Sequence, residues 1–273
     1  MEIELPFAKS KKEKLAETLL KKDFAYMGDD GIVRCVKCNQ PLMFYMKEAN
    51  SWFPCSCGCA KIDAQKSRLQ MLIQKIRTES GIPERYTDFT FDKLSPSKAD
   101  KLAYDSCKNF ADNYGSISKN GYGLYLYGDI HTARTYAACV ANAIIEKGRE
   151  VYFRKLNDIL SEIQKSYNKK TATDIDPMEK YSNAGFLIID NIGMEDYQKY
   201  GRDTNFVQDK VAMLVDNRYA NKKPTMFTSC FDFNSLAEKR GMNEIAVQSI
   251  MNLSTRCFEV RGETQRPKLE RIF

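Results

Sequence analysis

Residues 122–147, YGLYLYGDIHTARTYAACVANAIIEK, decide how this chain is read. An apolar run ends at Gly128, a short loop follows, and Arg134-Thr135 open an alanine-rich helical pattern. Strand, loop and helix in that order are the layout of GxxxxGK[ST], where backbone amides and a lysine hold nucleotide phosphates. The eight positions here are Gly128, Asp129, Ile130, His131, Thr132, Ala133, Arg134 and Thr135. The first glycine and the last threonine are kept; Ala133 replaces the second glycine and Arg134 the lysine. A Cβ where the loop needs positive φ costs roughly 1–2 kcal/mol. A planar guanidinium is also no substitute for a compact ammonium in a crowded site. Thr135 still offers a hydroxyl for Mg²⁺.

The other half of such a site belongs at the end of a second buried strand, and Phe186-Leu187-Ile188-Ile189-Asp190-Asn191 supplies one. Asp190 is placed to hold Mg²⁺ through water. Asn191 stands where a second carboxylate would polarise the attacking water, and an amide is no general base. The two stretches together point to nucleotide-binding ancestry with hydrolysis weak or lost. His131, the single histidine, reads as a loop filler, and Tyr122, Tyr125 and Tyr127 read as strand core rather than base-stacking platforms.

Around these stretches, strands alternate with helices from about residue 84. Helices are expected at 97–114, 134–147, 156–168, 204–220 and 244–253, and strands at 124–127, 150–154, 186–189, 225–229 and 257–261. The stretch 169–183 reads as polar. This alternation predicts an α/β fold with a parallel sheet and flanking helices. Upstream, residues 1–27 suggest an amphipathic helix carrying Leu15, Leu19 and Leu20. Residues 60–80 suggest another, with Ile62, Leu69, Leu72, Ile73 and Ile76 near one face. Gly81-Ile82-Pro83 ends it and sets the expected boundary between a module at 1–80 and a domain at 81–273.

At 273 residues and 43% apolar composition, the chain is long enough for one core plus a small module. Its net charge of +6 permits nucleic-acid contact without requiring it. No apolar run approaches the roughly 20 residues of a membrane helix, and the N-terminus lacks a signal peptide's apolar segment. A cytoplasmic protein with no membrane partner is expected. Of nine cysteines, Cys35, Cys38, Cys55, Cys57 and Cys59 crowd together, while Cys107, Cys139, Cys230 and Cys257 are scattered. The crowding predicts a structural Zn²⁺ site. Cys35, Cys38, Cys55 and Cys57 are the first choice and Cys59 the substitute; unliganded thiols or an iron–sulfur cluster are the alternatives. Basic residues on 61–77 fit a solvated helix face as well as a phosphate track.

Five blocks carry a resemblance across nearly the whole chain: GIPERYTDFTF (81–91), YLYGDIHTART (125–135), FLIIDNIGMED (186–196), VDNRYANKKPTMFTS (215–229) and FEVRGETQR (258–266). Together they resemble the DnaC/IstB group of AAA+ proteins, the replicative helicase loaders of bacteria and phages. The cysteine-rich module is similar to the zinc-bearing, helicase-docking domain of the Gram-positive and phage branch. The resemblance implies an AAA+ P-loop-type sheet preceded by a small helical zinc-binding domain. It also implies ATP and Mg²⁺ as ligands, a hexameric replicative helicase as partner, contact with single-stranded DNA, and a homo-oligomer as one expected state. It gives Gly128 to Thr135 as the phosphate loop, Asp190 as the Mg²⁺ carboxylate and Glu195 as the acidic residue that follows. Cys230 falls where a polar sensor is expected, and Ile250 where an arginine completes a neighbour's site, with Arg256 nearby. A loader with weak or absent ATP turnover is the leading expectation; a non-enzymatic pseudo-ATPase that regulates the helicase or a host loader, and an IstB-like transposition helper, are the alternatives.

Overall fold

A computed structural model describes residues 18–20, 24–167, 176–194, 204–240 and 242–262. The chain divides into two compact units, Met1–Met71 and Leu72–Phe273.

In the first unit, β1 (Ala25–Met27), β2 (Val33–Cys35), β3 (Pro41–Met46) and β4 (Ser51–Pro54) form an antiparallel meander in that order. The expected helical module is therefore built around a sheet. Residues 18–20 are helical, but 25–27 pair as β1 instead of continuing a helix; residues 1–17 and 21–23, with Leu15, lie outside the described residues. The aromatic spacer makes the strands: Phe44 stacks on Phe53 and Tyr45 meets Trp52 edge-on across β3 and β4, the cross-strand pairs that stabilise a sheet. Among the described residues, its hydrophobic core is built from Ala25, Val33 and Met43, with Leu19, Leu20, Leu42 and Trp52 packed against them.

Helix α1 (Cys59–Ser80) contains the division at Met71–Leu72, ahead of the Gly81 boundary. Its last turns belong to the second unit, where Ile76 is buried and Ile73 packs on the core. Ile62, Leu69 and Leu72, expected on the same stripe, are exposed.

The second unit is a five-stranded parallel sheet in the order β6-β7-β8-β5-β9. Its strands are β5 (Leu124–Gly128), β6 (Tyr152–Lys155), β7 (Leu187–Ile192), β8 (Thr225–Ser229) and β9 (Arg256–Val260). Both faces are covered, so inward residues alternate between two cores. Leu124, Leu126, Ile188 and Met226 enter one, with α2 (Lys101–Asp112) and α4 (Ile130–Glu146). Tyr125, Leu187, Ile189 and Phe227 enter the other, with α5 (Leu156–Ser166), α7 (Thr204–Ala220) and α9 (Glu244–Leu253). Continuous apolar strands such as Leu187-Ile188-Ile189 follow from that double coverage.

Three elements depart from expectation. The helix expected at 97–114 is α2 plus a separate α3 (Tyr114–Asn120), broken at Asn113. The polar stretch contains α6 (Pro177–Asn183), started by the Asp176 carboxylate, which accepts from Met178 N–H, and by proline at the first position; residues 168–175 lie outside the described residues. A short α8 (Phe233–Glu238), not expected, follows β8. The 81–91 block is tied to α4 by Asn142, whose Nδ2 donates to the Tyr86 and Phe89 carbonyls at 2.9 Å each. Among the described residues, no helix is long and apolar enough to cross a membrane.

Candidate functional site

In a parallel sheet all strands end at one edge, and ligand crevices form there. β5 and β7 end at that edge with β8 between them, so the loop residues, Asp190 and Thr228 can meet.

Gly128 ends β5 at φ +107°, and a Cβ there would lie 2.4 Å from the Val260 carbonyl oxygen. The Asp129 N–H donates to that same oxygen at 2.8 Å. The kept glycine is thus required by the β5–β9 contact, whatever binds nearby. Gly128→Ala is expected to destabilise the unit by more than the roughly 1–2 kcal/mol of left-handed strain alone, read by urea denaturation.

Helix α4 begins at Ile130, earlier than the expected start at 134, and so absorbs most of the loop. The cause is Asp129: its carboxylate accepts from the Thr132 N–H at 2.7 Å, an N-cap that fixes the first turn. It also puts a negative charge on the positive end of the helix, where a phosphate would otherwise be held. Ala133 is fully buried, as is Thr135, and the Thr135 hydroxyl donates to the His131 carbonyl at 2.8 Å.

Arg134 turns to β7. Its Nε lies 2.8 and 2.9 Å from the two carboxylate oxygens of Asp190, with the Asp190 side chain only 3% exposed. Thr228 Oγ1 donates to Asp190 at 2.6 Å and accepts from the Asn191 N–H at 2.9 Å. Asn191 sits at φ 63° where the β7–β8 register shifts, a left-handed conformation that asparagine tolerates. Two of the groups expected to handle Mg²⁺ and phosphate, Arg134 and Asp190, are therefore bonded to each other. In this arrangement the residues form no phosphate cradle and do not fit a Mg²⁺–nucleotide.

Of the remaining expected positions, Cys230 is exposed just beyond β8 and Ile250 is fully buried in the core. Arg256 is exposed on β9, and Glu195 lies outside the described residues. Tyr125 is buried as expected, whereas Tyr122 is exposed.

Two residues of weight escaped the sequence reading. Thr228, in the middle of MFTS, bridges β7 and β8 at Asp190. Arg218 on α7 is fully buried. Its guanidinium donates to Thr225 Oγ1 at 2.7 Å, to the Tyr181 and Ala184 carbonyls at 2.6 and 3.0 Å, and to the Pro224 carbonyl at 2.7 Å. Burial pushes its pKa down to about 9, so it remains charged at neutral pH. A signal existed: Arg218 continues the helical spacing of Val207, Val211, Leu214 and Val215, an apolar stripe where a cation needs a reason.

In the first unit, the Sγ atoms of Cys35, Cys38, Cys57 and Cys59 all lie within 4.8 Å of one another, and Cys55 is not in the group. Zn–S bonds of about 2.3 Å in a tetrahedron put sulfurs about 3.8 Å apart, so the set suits a four-thiolate metal site. Of the three candidates at 55–59, the geometry groups Cys57 and Cys59 with Cys35 and Cys38. The reason is local. Cys55 still pairs with the sheet, its N–H donating to Leu42 at 2.7 Å, while Cys57 and Cys59 flank the start of α1. Opposite them, the turn after β2 is closed by Asn39 N–H on the Cys35 carbonyl at 2.8 Å, with Asn39 at φ 57°. Backbone N–H groups of Cys38 and Lys37 lower the Cys35 thiol to about 7, and the neighbouring Cys38 thiol raises Cys59 to about 12.

No family model matches the chain. It is 26% identical over 169 residues to the replicative helicase loader DnaC of Buchnera aphidicola subsp. Baizongia pistaciae, a match covering 61% of this chain. The chain thus spans 65% of that relative's length. The crystal structure of a DnaC helicase loader aligns over 66% of this chain and all of its own, with TM-score 0.55 and 19% identity. The replication initiator DnaA bound to AMPPCP and single-stranded DNA aligns over 66% of this chain and 51% of its own, with TM-score 0.52 and 14% identity.

Proposed function

We propose that this chain, a DnaC-like AAA+ protein in sequence and fold, serves DNA replication as a helicase-loader-type adaptor that does not turn over ATP. The observation that carries the second half is the Arg134 guanidinium seated on Asp190. The relatives' names support the first half: loaders act on replicative helicases, and the DnaA neighbour holds AMPPCP and single-stranded DNA. In this reading residues 81–273 are the AAA+ body, 1–80 the docking module, a hexameric replicative helicase the partner, and the cytoplasm the compartment. Zn²⁺ is the metal for Cys35, Cys38, Cys57 and Cys59, where it would hold the module together and supply no chemistry.

Nucleotide chemistry is tested with a fluorescent ATP analogue and Mg²⁺, beside phosphate release. The wild type is expected to show neither saturable binding nor turnover. Ala133→Gly with Arg134→Lys is expected to leave turnover at background, because the Asp129 cap and Asn191 remain. Phosphate release of even about 1 per minute, slow beside typical enzymes, would overturn the reading. Partner choice is tested separately by co-elution with the purified helicase hexamer. The same ion pair favours a second reading, a regulator that docks and blocks. Helicase loading onto a closed single-stranded circle separates the two, since a blocker lowers it.

A further inference from the structure

The opposite edge of the sheet, where β6, β7 and β8 begin, holds a concavity of about 680 Å³ that lies within the second unit. Its walls come from α3, the turn after α4 and the turn between α7 and β8, and they carry Lys119, Arg149, Lys222 and Lys223. A neighbouring cation shows what a structural role looks like: Lys147 Nζ donates to the Ala111 and Asp112 carbonyls at 2.6 and 2.9 Å and so closes the end of α2. Among the described residues the four groove side chains make no ion pair and no hydrogen bond. Lys222 also sits at φ 50°, two residues past the end of α7, where a helix most often closes on glycine. A Cβ in that left-handed conformation costs roughly 1–2 kcal/mol. The exposed lysine side chain adds no contact to the fold, so the strain directs attention to what it meets from outside.

The other polar groups of the wall are acceptors. α3, α4 and α7 all end at this edge, and the last carbonyls of a helix have no partner within it. Glu150 adds a carboxylate, which accepts from the Gly185 N–H at 3.0 Å. The one ring on the wall, Tyr114, is buried and donates its hydroxyl to the Gly185 carbonyl at 2.9 Å, so no exposed ring is offered to a base. A matching ligand brings negative charge and hydrogen-bond donors together. A phosphate chain brings acceptors alone. An extended acidic peptide brings both, carboxylates from its side chains and N–H groups from its main chain.

The geometry points to a docking groove for an acidic, extended segment of a partner protein. The segment's carboxylates meet Lys119, Arg149, Lys222 and Lys223, and its main-chain N–H groups meet Glu150 and the helix-end carbonyls. The groove lies at the edge of the sheet away from Asp190, and its assignment is independent of the nucleotide and loader readings.

The test is fluorescence anisotropy of a labelled ten-residue peptide alternating glutamate and glycine, titrated with the full chain at about 0.1 M salt, where charges still act over roughly 10 Å. Saturable binding that weakens as salt rises is expected. Lys222→Glu with Lys223→Glu removes two attractions and adds two repulsions, and is expected to weaken binding about tenfold. Lys61→Glu with Lys66→Glu, the same change of net charge on exposed residues of α1, is expected to leave it within about twofold, since exposed charges beyond a Debye length are screened. Lys222→Gly is expected to weaken binding while the melting temperature holds or rises, which a structural role for the lysine would not give. A second peptide with sarcosine in place of glycine keeps every carboxylate but loses alternate N–H donors, and is expected to bind severalfold more weakly. Absence of saturable binding, or equal losses from the groove pair and the α1 pair, would overturn the proposal. Equal affinity for the two peptides, or tighter binding of an oligothymidylate of equal charge, would show that charge alone is read and would overturn the peptide assignment.

Discussion

Replacing Arg218 with methionine is expected to destabilise the α/β unit by about 3–5 kcal/mol, the usual result of breaking a fully buried, fully bonded charge network. Methionine matches the length of the stem but donates nothing. The carbonyls of Tyr181, Ala184 and Pro224 and the Thr225 hydroxyl would then be left in a dry interior, each at about 1–3 kcal/mol if nothing replaces the lost donor. Among the described residues the hydrogen-bond partners of Arg218 are neutral oxygens. It links the end of α6 to the turn that starts β8, so loosening it would release the strand that carries Thr228. At about 2–4 °C per kcal/mol for a domain of this size, the melting temperature should fall by roughly 10 °C or more. Arg218→Lys should fall between, since one ammonium reaches only some of these oxygens. A melting temperature within a degree or two of wild type for Arg218→Met would mean that water or a shifted helix takes over the carbonyls.

How far the sequence could be read divides along physical lines. The sheet was legible because Leu187-Ile188-Ile189 and Met226-Phe227 are buried on both faces, which writes itself as continuous apolar runs between helical patterns. The start of α4 was not. The motif template puts a loop through Asp129 to Ala133, and nothing in the template says that an aspartate one residue past the glycine will cap the helix early. The consequences of Arg134 were half legible. Its misfit for a phosphate follows from its shape, but its capture of Asp190 needs β8 placed between β5 and β7, a fact of topology. Thr228 was overlooked for the same reason. In the first unit the grouping of cysteines was legible from their spacing, whereas which of Cys55 and Cys59 joins the group depends on where β4 ends and α1 begins. The expected helix through residue 27 failed because β1 has only three residues, too few for alternation to outweigh the preceding helical pattern.

With Zn²⁺ held by Cys35, Cys38, Cys57 and Cys59 as proposed, removing it is the other large expected effect. Among the described residues the first unit's core holds three buried residues, Ala25, Val33 and Met43, little to offset the ordering of four strands and their turns. Four thiolates on one Zn²⁺, as proposed, would supply what the core lacks: apparent binding energies of about 10–16 kcal/mol act as folding energy in small zinc modules. The chain should therefore contain one zinc per molecule by elemental analysis. Treatment with a strong chelator should unfold the first unit, and Cys38→Ser should reproduce that state without chelator. The chain's single tryptophan makes the event visible. Trp52 lies in β4, half-buried against that core and edge-on to Tyr45 at 5.6 Å, so its emission reports this unit alone. Chelation should shift it to the red while the cooperative melt of the α/β unit, followed by circular dichroism, is retained. Cys55→Ser, outside the cluster, should keep both the zinc and the emission. Unchanged tryptophan emission after complete zinc removal would show that the sheet stands without the metal, and loss of zinc in Cys55→Ser would return that residue to the ligand set.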